Sequence, residues 1–188
     1  MKSIKLSAFI LIILLTASCK SSTPDEEKIS VKDTTVSSIS TTQSTIRLFG
    51  QSILDNKVQP SDNENTFACL DSLDDDNQET RLFFFKVYRV IAKKSDGALG
   101  EVVGGYTKSY FQLFPEEAFS HYKQFDKTEQ ALFINNIAYE FYASGSDYKQ
   151  NIENYFSEIE KLCPNCMADE NFMSIKKELL SNVAKMNE

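Results

Sequence analysis

The sequence predicts an all-α fold, a compact helical domain of about six to eight helices. Three observations carry this expectation. Apolar residues recur at three- and four-residue spacing through most of residues 46–188. Pro24, Pro60, Pro115 and Pro164 all fall between the periodic stretches, where a missing N–H does no harm. No stretch alternates polar and apolar residues with the period of two that a half-buried strand requires. The 143 residues from 46 onward amount to one domain, long enough to bury about two-thirds of the unfolded surface.

The elements follow in order. Ile46, Phe49, Ile53 and Leu54 lie on one face of a first helix that ends before Pro60. A short second helix carries Phe67, Leu70 and Leu73. The run Asp74-Asp75-Asp76-Asn77 supplies capping and first-turn residues for a helix over 78–94. That helix is apolar around most of its circumference, through Leu82 to Phe85, Val87, Tyr88, Val90 and Ile91, so it belongs at the centre. Ser95-Asp96-Gly97 breaks the chain before a helix over 98–114, and Pro115-Glu116-Glu117 opens another. Asp126 and Glu129 have the spacing of a capping box ahead of Ala131 to Ala143. Gly145 and Ser146 separate that helix from one over 147–162, and Asp169 opens the last, with Phe172, Ile175, Leu179, Leu180 and Val183.

The chain echoes itself. Leu82-Phe83-Phe84 matches Leu132-Phe133-Ile134 at an offset of 50, and both helices stop at Ser/Gly/Asp turns. The helices that follow end in Leu113-Phe114-Pro115 and Leu162-Cys163-Pro164. This resembles a degenerate HEAT-like duplication, which implies helix pairs stacked around one elongated core.

The amino terminus has a different character. Lys2 and Lys5 precede a ten-residue apolar stretch, Leu6 to Leu15, too short for a bilayer core of about 30 Å. Residues 1–18 therefore read as a signal peptide. Leu15-Thr16-Ala17-Ser18-Cys19 resembles the lipobox of bacterial lipoproteins, although Thr16 stands where that motif usually has Leu. The resemblance implies cleavage before Cys19 and acylation of Cys19 by fatty acids such as palmitate. Lys20 after that Cys implies an outer-membrane lipoprotein by the sorting rules of Gram-negative bacteria, facing either the periplasm or the surface. Asp25-Glu26-Glu27 resembles the acidic run that some lineages use for surface export. Thirteen of residues 20–45 are Ser or Thr, so residues 19–45 are expected to form a lipidated Cys and a flexible tether with a span of roughly 25–30 Å. Asp33-Thr34-Thr35 and Asp71-Ser72-Leu73 resemble a bacterial O-glycosylation acceptor pattern.

Of the 188 residues 41% are apolar and 25% charged, with a net charge of −7; loss of residues 1–18, which carry Lys2 and Lys5 and no acid, leaves −9. Such an acidic domain is a poor binder of nucleic acid, whose affinity comes mainly from Lys and Arg on phosphates. A basic protein partner is favoured instead, by electrostatic steering. Membrane contact is expected through the N-terminal lipid. The expected role is that of a binding module, such as an immunity-type protein facing a basic toxin or an accessory subunit of an envelope assembly.

Few residues suggest chemistry. Cys163-Pro164-Asn165-Cys166 has the C-x-x-C spacing of thiol oxidoreductases, and a thiol-redox enzyme is the alternative reading. Cys163 ends a helix, however, where the dipole disfavours a thiolate. A structural disulfide among Cys69, Cys163 and Cys166 is expected, either within the C-x-x-C or from Cys69 to one of its members. Those three with His121 make a chemically reasonable zinc set, but the ligands are scattered, so no metal and no cofactor is expected. Glu117 and His121 sit four apart on one helical face and read as a surface pair rather than a catalytic one. Gly100, Gly104 and Gly105 precede Thr107-Lys108-Ser109, but a phosphate loop needs Gly directly before the Lys and a strand before the loop. Those glycines suit close helix packing. Tyr106, Tyr110, Tyr139, Tyr142 and Tyr148 belong to the core or its edge, with a groove rim as the other role open to them.

Overall fold

The computed structural model describes residues 34–145 and 147–188, and their side chains from Gln43 onward. The expected signal peptide over 1–18, Cys19, Lys20, the acidic run and Asp33 lie outside the described residues. Helix α1 spans Thr34–Leu54, α2 Glu64–Asp71, α3 Gln78–Lys94 and α4 Gly97–Leu113. Helix α5 spans Pro115–Tyr122, α6 Lys127–Ala143, α7 Tyr148–Leu162 and α8 Glu170–Met186. Short 3-10 turns follow at Ser72–Asp74 and Cys166–Ala168. The described residues form no strand, and the chain is all-α as expected.

Local chemistry sets most boundaries. Asn63, Asn77, Asp126, Asp147 and Asp169 each accept a backbone N–H from the first turn of the helix they cap. Asp126 and Glu129 form the reciprocal capping box that their spacing foretold. Pro115 occupies the first turn of α5, and two residues past the end of α1 Asn56, with φ 57°, turns the chain away from the helix axis. One boundary differs. Helix α1 begins at Thr34, twelve residues before Ile46, inside the segment expected to be tether. No Pro or Gly lies between Thr34 and Phe49, so nothing stops the helix from propagating toward the amino terminus.

Helix α3 is not the hub that its apolar circumference implies: α4 packs against α2, α5, α6 and α7, whereas α3 leaves Leu82 and Lys86 exposed. One side meets α1, where the Cβ position of Gly50 lies 3.1 Å from Val87 Cγ2. Its other side carries Phe85, whose ring packs against Tyr110 of α4 and His121 of α5. Between α3 and α4, the Tyr88 hydroxyl donates to Thr107 Oγ1 (2.8 Å), because Thr107 gives its own proton to the Val103 carbonyl. Helix α4 crosses α6 closely at Gly104: a Cβ there would lie 2.6 Å from Glu140 Oε1 and 2.7 Å from the Asn136 carbonyl. The glycines thus serve packing, as expected. The aromatic core continues through Phe111, Phe133, Phe156 and Phe172, which join α4, α6, α7 and α8.

Glu129 links the two halves. Its carboxylate accepts from Arg89 at 2.5 Å and Lys93 at 2.8 Å, both on α3. Burial alone would raise the acid's pKa, but Lys93, Arg89 and the Asp126 backbone hold it down at about 2.

The internal echo survives with a shifted register. Caps Asn77 and Asp126, C-terminal residues Phe114 and Cys163, and prolines Pro115 and Pro164 are each forty-nine residues apart, not fifty. That register also aligns buried Phe84 with Phe133 and Val103 with Ile152. Phe114 (φ −129°, ψ 58°) and Cys163 (φ −139°, ψ 74°) share an unusual backbone, forced out of the helical region by the proline that follows each. Like-on-like stacking is only half present. Helix α4 packs on α7, whereas α6 leans on α4 and α8 and meets α3 through the Glu129 cluster.

Gly104→Ala should lower stability by about 1–3 kcal/mol, because the methyl meets backbone. Gly100→Ala, with nothing within 4 Å, should be neutral or stabilising by up to about 1 kcal/mol. Urea denaturation of the two variants checks the contrast.

Candidate functional site

A groove of about 550 Å³ lies where the starts of α3 and α5 meet the ends of α4 and α7. Its rim carries Leu82, Leu113 and Leu162, which are 36%, 47% and 58% exposed. Three of the seven large apolar side chains exposed among the described residues thus share this rim. Leu113 and Leu162 are the last residues of α4 and α7, each one residue short of an X-Pro stop. Neither is covered by a further turn of its own helix.

The floor is polar and internally satisfied. Arg81, on the first turn of α3, is 8% exposed in its side chain and faces Glu117 of α5, 11% exposed. Arg81 Nε donates to Glu117 Oε1 at 3.1 Å and Nη2 to Oε2 at 2.9 Å. Its Nη1 donates to the carbonyls of Asp75 and Asp76 at 2.8 and 3.0 Å. Four of five guanidinium N–H groups are thereby used, and the Phe114 ring lies 3.7 Å from Cζ. The Tyr110 hydroxyl (2.8 Å) and Gln78 Nε2 (3.1 Å) also donate to Glu117. Burial pushes the Glu117 acid toward neutrality, but Arg81, Tyr110 and Gln78 outweigh it and hold its pKa below the ordinary value. The Tyr110 phenol is pushed far up by burial and by the same carboxylate.

The Glu117–His121 expectation is corrected. Helix α5 buries Pro115, Ala118, Phe119 and Tyr122, so it is not an exposed helix. Glu117 belongs to Arg81. The His121 ring instead stacks on Phe85, with centroids 4.0 Å apart and planes 13° apart, and its buried Nε2 has no partner. Burial lowers the His121 pKa against the opposing pull of Glu117, which favours the neutral ring.

The cysteines resolve into one bond and one thiol. Cys163 and Cys166 form the disulfide, both buried. Cys69 is a buried free thiol whose pKa burial pushes up to about 12, so a bridge from Cys69 to either of the others is not formed. The bond also removes two of the four donors from a zinc set. Glu116 Oε1 lies 3.5 Å from Cys163 Sγ, but a disulfide sulfur has no proton, so this is a contact and not a hydrogen bond. The bond clips the end of α7 to the turn that leads into α8, behind Leu162 of the rim.

Other residues lie elsewhere. Tyr110 is core and belongs to the groove floor through Glu117; Tyr106 donates to Asp71. Tyr139 and Tyr142 are exposed together, their ring centroids 6.3 Å apart, and Tyr148 packs at the core edge. Ser72 is buried and donates to the Ala68 carbonyl at 2.8 Å, which disfavours it as a glycosylation acceptor. The side chains of Thr34 and Thr35 lie outside those described. Sequence reasoning missed Arg81 and the three rim leucines. Arg81 precedes Phe84 and Phe85 by three and four residues, a spacing that puts it on their buried face.

Comparison with protein-family models, with curated proteins and with solved structures finds no match.

Arg81→Met should cost about 3–5 kcal/mol in urea denaturation, by leaving the Glu117 carboxylate buried without its cation. The double variant Arg81→Met, Glu117→Leu should recover part of that loss. Replacing Cys163 and Cys166 together by Ala should cost about 2 kcal/mol, the value for so short a closed loop. A thermal melt of that double variant checks the loss, and an insulin-reduction assay on the native chain should show no disulfide reductase activity.

Proposed function

We propose that this chain is a lipid-anchored cell-envelope protein that works by binding another protein in the groove rimmed by Leu82, Leu113 and Leu162. The observation that carries this reading is the composition of that groove. Its rim gathers exposed leucines from three helices, while the charges of Arg81 and Glu117 cancel beneath it. The Arg81–Glu117 pair leaves no net charge in that floor, which favours recognition over proton transfer there. Cys19 would tether the domain through its lipid, and the chain between Cys19 and α1 would set its reach. An immunity-type role and an accessory subunit both use the groove in this way. The thiol-redox alternative draws on the Cys163–Cys166 bond, but burial of both sulfurs disfavours it.

In a bacterial host that lipidates its own lipoproteins, the full chain should incorporate labelled palmitate and partition with membranes, and Cys19→Ala should lose both properties. A benzoyl-phenylalanine photo-crosslinker placed at Leu113 or Leu162 should form a discrete protein adduct in the native envelope. The same group at exposed Lys149, at the other end of α7, should not. Adducts of equal yield at all three positions, or none at the groove, would sink the docking reading.

A further inference from the structure

We propose that the segment received by this groove is a peptide stretch with one Lys or Arg flanked by two large apolar side chains. This rests on the reading of the groove as a protein-docking site and names the chemistry of the occupant. The groove is apolar at its rim and anionic in what it leaves unpaired. Arg81 is the only cation that lines it, and its guanidinium is already held by Glu117 and by the Asp75 and Asp76 carbonyls. No positive group is therefore left for an acidic peptide or a phosphate. Glu116 is the reverse case: it lines the groove, is exposed, and makes no ion pair among the described residues, its near neighbour being a sulfur with no proton.

The surroundings add to that charge. Exposed Asp76 and Glu79 flank Gln78 on the segment that enters α3, and the carbonyls of Asp75 and Asp76 bind Arg81. A cationic side chain from a partner fits these conditions on both counts. Its methylenes would lie along Leu113, Pro115 and Leu162, and its head would reach Glu116. Flanking apolar residues would cover the leucines on either side. Leu82, Leu113 and Leu162 come from α3, α4 and α7, so they surround the anion instead of forming one stripe.

The test is selection from a random dodecapeptide phage library on the full lipidated chain, purified in detergent and immobilised. Selected peptides should converge on Lys or Arg between two large apolar residues. A synthetic consensus peptide should bind roughly tenfold more weakly to Glu116→Gln and to Leu113→Ser, each a loss of about one contact. Raising the salt from 50 to 500 mM should also weaken it. An acidic or uncharged consensus, or affinity indifferent to Glu116→Gln, overturns the proposal. If those peptides still depend on Leu113 and Leu162, the docking reading stands without the charge assignment. If no peptide depends on either leucine, both readings fall.

Discussion

The guanidinium of Arg81 holds together the helix ends that form the groove. It binds the carboxylate of α5, the two carbonyls that turn the chain into α3 and, through Glu117, the phenol of α4. A charge so deeply buried is tolerated only when its partners are complete, because desolvation of one unpaired ion costs several kcal/mol. The geometry at Glu117 meets that condition with four donated hydrogen bonds. The groove inherits its form from this arrangement, since the starts of α3 and α5 are fixed by the same pair that forms its floor.

The second constraint is the crossing of α4 and α6. Backbones approach there because Gly104 has no side chain, and Glu140 and the Asn136 carbonyl fill the space. Around that crossing the chain repeats its own plan at forty-nine residues, from an Asn or Asp cap to a Pro stop. The repetition has a surface consequence. Each Pro halts its helix just past a leucine, and the two leucines so exposed come to rest on one groove.

How much of this was legible depended on distance along the chain. The capping box at Asp126 and Glu129, the Pro115 start and the helix order follow from neighbours within four residues, so they could be read directly. The packing role of the glycines was legible as a type of contact, but not the partner of Gly104. The pairing of Arg81 with Glu117 spans thirty-six residues, and no periodicity links positions so far apart. Glu117 and His121 share a helical face, yet which face is buried is decided by Phe85 and Arg81 on another helix. The offset of fifty came from matching apolar letters; caps and prolines, which fix the ends of helices, put it one residue shorter.

The buried thiol of Cys69 bears on how the molecule comes to be oxidised. Among Cys69, Cys163 and Cys166 three pairings are possible, and two of these would join Cys69 to a residue more than ninety positions away. The remaining one closes a loop between residues only three apart, and the chain samples so short a loop far more often. The nearest pairing is also the native one. Once it forms, neither Cys163 nor Cys166 remains to pair with Cys69, which packs under α1 with its thiol facing the Ile46 carbonyl. Among these three residues the native cross-link is thus the one that chain proximity favours.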